Sequence, residues 1–114
     1  MKDYMLLFRF KKEFDDRNAS PEEFQKEAMK WQKWMEQRLK EGKLTPGQRL
    51  TNSGKVVTGT KKNVLDGPFA EGKEVVASFC VIKAESLDEA VEFAGACPIL
   101  DRDGSVEVRE IMTY

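Results

Sequence analysis

The chain predicts an α+β fold with the element order β-α-β-β-α-β. Three observations carry that expectation. Two capping signatures, "SPEE" at Ser20 and "SLDE" at Ser86, each open a segment with an apolar helical stripe. A run of ten mostly apolar, β-prone residues, "VVASFCVIKA", lies between turn-rich segments. Near the C-terminus, Val106 and Val108 alternate with Glu107 and Arg109, the period-two pattern of a half-buried strand.

"DYMLLFRF" is the first strand, with Tyr4, Leu6, Phe8 and Phe10 on one face and Met5, Leu7 and Arg9 on the other. A polar loop, "KKEFDDRNA", follows. Ser20 then caps the first helix, Pro21 occupies its first position and Glu23 completes the capping box. Phe24, Ala28, Trp31, Met35 and Leu39 form its apolar stripe, Trp34 sits at the stripe's edge, and Gly42 ends it. At 1.5 Å per residue the helix is roughly 30 Å long, enough to cross a small sheet.

"KLTPGQRLTNSGKVVTGTKKNVL" reads as strand broken by turns, with a hairpin from Arg49 to Thr58 and Asn52, Ser53 and Gly54 at its tip. The strand from Val75 to Ala84 is apolar on both faces. Val75, Ala77, Phe79 and Val81 fall on one, and Val76, Cys80 and Ile82 on the other. The second helix carries Leu87, Ala90, Val91 and Ala94 on its apolar face and closes at Cys97-Pro98. "GSVEVREIMTY" is the last strand.

This order is the ferredoxin-like arrangement, in which both helices cover one face of an antiparallel sheet. The two-faced strand then needs a cover on its second side. A second copy of the chain, sheet against sheet about a twofold axis, supplies one, so a homodimer is expected.

Composition narrows the function classes. The 114 residues fit one domain, spanning 1–114. Charged residues make up 34% of the chain with a net charge of -1, so no single-sign field exists to gather nucleic acid or an anionic membrane. No apolar run approaches the length of a membrane span, and "MKDYMLLFRF" is too short and too charged for a signal peptide. Two cysteines, Cys80 and Cys97, make no disulfide framework, and a cytoplasmic location is expected. Cys97, near a helix C-terminus that disfavours a thiolate, reads as a buried residue rather than a nucleophile.

The chain has no histidine. Ser-His and Cys-His nucleophile pairs and His-based zinc sites are thereby excluded. No cofactor or metal is expected: "GTKKNVLDG" lacks the phosphate-loop spacing, and no calcium-loop motif is present. Acid–base chemistry would fall to a carboxylate or a lysine.

"DGPFAEGKE" (Asp66 to Glu74), the apolar strand after it, "SLDEAVEFAGACP" and "SVEVR" together resemble the DGPF subgroup of the YciI-related family. "YMLLF" and "SPEEF" near the start match as well, so the resemblance covers nearly the whole chain. It implies a ferredoxin-like domain of the dimeric α/β-barrel type and a homodimer. The wider family includes enzymes acting on small aromatic or lactone-like compounds, with a His-Asp pair proposed as acid and base. That pair has no counterpart here.

"VLDGPFAEGKEV" supplies the candidate site. Asp66, Gly67 and Pro68 are ordinary turn chemistry, and Phe69 would pin the loop to the core. Folded over the open face of the sheet, the loop would direct Asp66 or Glu71 into a cleft as a carboxylate base, with Lys73 beside them. Arg9, Glu107 and Arg109 would line the same cleft, Arg109 holding a substrate carboxylate. The expected chemistry is a cofactor-free proton transfer, elimination or isomerisation on a small molecule. The competing expectation is a non-enzymatic dimeric binding module in which the loop is structural.

Overall fold

The computed structural model describes residues 1–11, 20–72 and 74–113. Among these residues, seven strands and two α-helices follow in the order β1 (Lys2–Lys11), α1 (Pro21–Lys40), β2 (Leu44–Arg49), β3 (Gly54–Thr58), β4 (Asn63–Gly67), β5 (Ala70–Glu71), β6 (Glu74–Ala84), α2 (Leu87–Ala94) and β7 (Ser105–Glu110). The fold is mixed α+β. The main sheet runs β2-β6-β1-β7 with every neighbouring pair antiparallel, and β5 adds a short pairing to β6. The expected polar loop lies outside the described residues apart from Lys11, which ends β1.

Both expected helix starts form. The backbone N–H of Glu23 donates to Ser20 Oγ at 3.1 Å, and that of Glu89 to Ser86 Oγ at 3.2 Å. Each bond satisfies one of the donors that a helix N-terminus leaves open. α2 ends earlier than Cys97-Pro98 suggests. Gly95 caps it, and a 3₁₀ helix (Pro98–Arg102) follows that no pattern in the sequence announces.

The core lies between the sheet and the helices. Tyr4, Leu6 and Phe8 of β1, Leu44 of β2, Cys80 and Ile82 of β6, Ala90 of α2 and Ile99 of the 3₁₀ helix are all buried in it. Trp31 and Trp34 of α1 join edge-on to Phe8, with ring centroids 5.0 and 5.9 Å away. Trp34 also stacks on Phe93 at 4.3 Å, and its Nε1–H donates to the Phe93 carbonyl at 3.0 Å. The edge position expected for Trp34 is thus an internal contact between the two helices.

Two expectations change in the turn-rich middle. The hairpin is formed by β3 and β4, with Gly54 opposite Gly67 at its root and Thr58 opposite Asn63 beside its turn. Asn52 and Ser53 are not its tip; they link β2 to β3. Five-residue strands, with Val56 and Val57 on one side of the turn and Val64 and Leu65 on the other, outcompete the tighter turn because they pair more backbone.

The faces of β6 also differ from strict alternation. Phe8 pairs with Ser78 but Arg9 with Val76, so Ala77 is the extra residue of a β-bulge. Val75 therefore joins the helix-facing core, while Val76 falls on the same side as Phe79 and Val81. That open side also carries Met5, Leu7 and Arg9 of β1 and Glu107 and Arg109 of β7. Gly47 of β2 passes against it. A Cβ there would lie 2.2 Å from the Phe79 carbonyl oxygen and 2.5 Å from its ring, so only glycine allows the approach.

Candidate functional site

The first half of α1 does not seat on the sheet. None of its residues is fully buried, although the helix carries a complete apolar stripe. The gap it leaves is a cleft of about 210 Å³ between α1, the sheet and the 3₁₀ helix. Phe24, Glu27, Ala28 and Trp31 form the helix wall; Phe10, Ala77 and Ser78 form the floor; Arg49 and Arg102 stand at the sides. The bulge at Ala77 is what brings both Ala77 and Ser78 to this floor.

The polar groups of the cleft converge. Arg102 Nη2 lies 3.3 Å from Glu27 Oε2, and Lys30 Nζ lies 4.0 Å from the same oxygen. Glu27 Oε1 is occluded from solvent and meets no hydrogen-bond donor among the described residues. The guanidinium of Arg49 lies over the Phe24 ring at 5.9 Å, a cation–π distance. Two guanidiniums and one carboxylate thus sit among aromatic walls. A volume of this size holds about seven waters and falls below the range of drug-sized pockets, so it suits a small molecule.

None of its charged residues, Glu27, Arg49 and Arg102, was expected at a site from the sequence patterns. One signal was present for Glu27. It lies three residues after Phe24 and four before Trp31, so it interrupts the apolar stripe with a charge. Arg49 and Arg102 carry no such signal, because they stand at the end of a strand and in the unannounced 3₁₀ helix.

The residues expected from the sequence divide into two groups. Arg9, Glu107 and Arg109 meet on the open side of the sheet. Arg9 Nη1 pairs with Glu107 Oε1, and Arg109 Nε lies 4.0 Å from Glu107 Oε2. The Arg9 side chain is 19% exposed, wedged beside Leu7 and Val76, whereas Arg109 is largely in solvent.

The DGPF residues lie elsewhere. Asp66 belongs to β4, where its carboxylate is 97% exposed and pairs with Lys55 Nζ at 3.0 Å across the hairpin. Phe69 is 72% exposed rather than pinned to the core. Glu71 ends β5 opposite Glu74, exposed, with Gly72 at a φ of +63° making the turn. Lys73 lies outside the described residues. Within one chain, Asp66 and Glu71 do not reach the cleft under α1.

The thiols take no part in either cluster. Burial pushes both Cys80 and Cys97 up to about 12, far from a reactive thiolate. Among the described residues no group of three acidic or cysteine side chains is arranged to hold a metal ion. No helix among them is long and apolar enough to cross a membrane.

Two comparisons bear on identity. The sequence profile of the YCII-related domain matches residues 3–114. An uncharacterized protein of Rhizobium meliloti (strain 1021) is 40% identical over 78 residues, which is 64% of this chain. The match spans 63% of that relative's length.

Proposed function

The chain belongs to the YCII-related domain family, and on that premise we propose a small-molecule-binding homodimer whose ligand lies in the cleft under α1. The observation that carries this reading is Glu27 Oε1, a carboxylate oxygen occluded from water with no donor among the described residues, set between aromatic walls and two guanidiniums. An acceptor left in that state costs about 1–3 kcal/mol. A ligand hydroxyl or N–H would remove the cost by donating to the Glu27 carboxylate after a small shift. If the ligand is turned over, Glu27 is the carboxylate placed to take its proton, and the reaction is a cofactor-free proton transfer, elimination or isomerisation.

The same reading assigns the chain to the DGPF subgroup and its fold to the ferredoxin-like type, as one domain. The strand order β2-β6-β1-β7 supports that assignment. The open side of the sheet, with Met5, Leu7, Val76, Phe79 and Val81, is the surface we assign to the twofold contact. Two buried, free cysteines fit a reducing, cytoplasmic setting.

A second reading is favoured by the Arg9–Glu107–Arg109 cluster on that open side. In it the protein is a non-enzymatic dimeric module, and these charges fix the register of the two sheets. Asp66, Phe69 and Glu71 of a second copy would then complete any ligand site at the interface.

Native mass spectrometry after incubation with a small-molecule extract of the source cells separates the two. The first reading expects a dimer carrying a reproducible small adduct, lost in Glu27→Gln and retained in Arg109→Ala. An adduct lost in Arg109→Ala alone moves the site to the sheet interface. A dimer that takes up nothing, with Trp31 emission unchanged by the extract, rejects ligand binding altogether.

A further inference from the structure

Among the described residues, the β3–β4 hairpin is a segment that its own chain leaves largely uncovered. Its register puts Val57 beside Val64 on one face and Val56 beside Leu65 on the other. Val57, Val64 and Leu65 are 64%, 60% and 54% exposed. A two-stranded ribbon alone in water is marginally stable, and one with apolar pairs on both faces needs a partner surface. The hairpin packs mainly with itself.

Its root is fastened through the flanking residues to β6 of its own sheet. The backbone N–H of Leu50 donates to the Ala77 carbonyl at 2.7 Å, and Ala70 pairs with Val75. Both ends of the hairpin are therefore tied to the first residues of β6. The radius of gyration, 15.6 Å, exceeds the roughly 13 Å of a compact chain this long.

The exposed area makes the same point quantitatively. The chain exposes 8422 Å², about 2,100 Å² more than the roughly 6,300 Å² of a compact monomer of 13.0 kDa. A standard interface takes about 800 Å² from each partner, so the excess is enough for a stable dimer.

Resting on the homodimer reading above, we propose that the β3–β4 hairpin is an arm that lies on the open sheet face of a second copy of this chain. Both halves of that contact are present in one sequence. The arm offers the face that carries Val57 and Val64, and the open face offers Leu7, Phe79 and Val81. A twofold axis makes the contact twice and covers the Val57/Val64 face of each arm. The arm is thus part of the twofold contact on that face, and it brings the Asp66–Phe69 turn at its root to the dimer interface.

Sedimentation velocity of the full chain and of V57K/V64E tests this, with far-UV circular dichroism as the control for folding; the opposite charges keep the facing pair compatible within the hairpin. Both substitutions are at exposed positions, so the single chain keeps its helix signal. The wild type is expected to be dimeric, and the variant to dimerise at least tenfold more weakly. Amide exchange in residues 54–67 is expected to slow as protein concentration rises through the dissociation constant. A dimer of unchanged affinity in V57K/V64E, or exchange independent of concentration in that segment, overturns the arm while leaving the homodimer standing. A monomeric wild type overturns both.

Discussion

Replacing Glu27 with methionine is expected to raise the melting temperature while removing ligand binding. The stability terms can be set against each other. The substitution removes an occluded acceptor that meets no donor among the described residues, a gain of about 1–3 kcal/mol. It also removes the contacts from Oε2 to Arg102 at 3.3 Å and to Lys30 at 4.0 Å. The cations of those pairs retain access to water, so their loss costs about 0–1 kcal/mol together. Methionine keeps the length of the side chain and packs softly against Phe24 and Trp31. The balance is a stabilisation of about 1 kcal/mol, or roughly 4 °C for a chain of this size. Thermal melts followed by circular dichroism read it directly. A fall of 4 °C or more would mean that Glu27 is a structural anchor. The inference from its unsatisfied oxygen to a ligand would then fail. A gain in stability with lost adduct is the trade expected of a functional residue.

Three further outcomes follow from the geometry. Gly47→Ala is expected to destabilise by about 1–3 kcal/mol in urea titration, since the new Cβ meets the Phe79 carbonyl oxygen at 2.2 Å; an unchanged midpoint would mean that β2 can back away freely. Cys80 and Cys97, whose thiols burial pushes up to about 12, are expected to resist a thiol reagent at pH 8 until urea is added, and rapid labelling of the native protein would contradict their place in the core. Arg38→Met should show pH-dependent destabilisation. The Glu85 backbone N–H and then Arg38 hold the Glu89 carboxyl below the usual carboxylate range. A lowered folded-state value gives stability that is complete above the unfolded value of about 4.3 and lost as pH falls through the folded one. The gap in urea midpoint between wild type and variant is thus expected to narrow from pH 7 to pH 3. A gap that stays constant would assign the whole effect to the other Arg38 contacts, with the Lys83 carbonyl at 2.8 Å and the Phe93 ring at 4.6 Å.

Much of the element order was legible because it rests on short-range physics. Ser20 and Ser86 cap helices wherever those helices pack, since the bond they accept lies within one turn. Tyr4, Leu6 and Phe8 face one way because strand periodicity is local. Arg9, Glu107 and Arg109 could be grouped in advance for the same reason: alternation puts each on the side opposite the core residues.

The candidate site was not legible, because each part of it depends on packing between distant segments. The bulge at Ala77 arises only when β1 and β6 are paired, and it shifts Val75 and Val76 to opposite sides. The cleft exists because the first half of α1 stands off the sheet, which no local pattern encodes. Glu27 meets Arg102 from 75 residues away, through a 3₁₀ helix without a sequence signature. Asp66 lost the loop role its neighbours suggested, because Lys55 lies opposite it in a strand pairing.

By itself, then, the sequence determined the helices, most of the strands, the absence of histidine chemistry and the excess of apolar surface on β6. Those follow from side-chain identity, capping and period. Tertiary structure alone decided which charges meet, where a cavity opens and which apolar residues stay exposed on the β3–β4 hairpin. Those depend on how closely elements approach, and that distance is a balance over the whole chain.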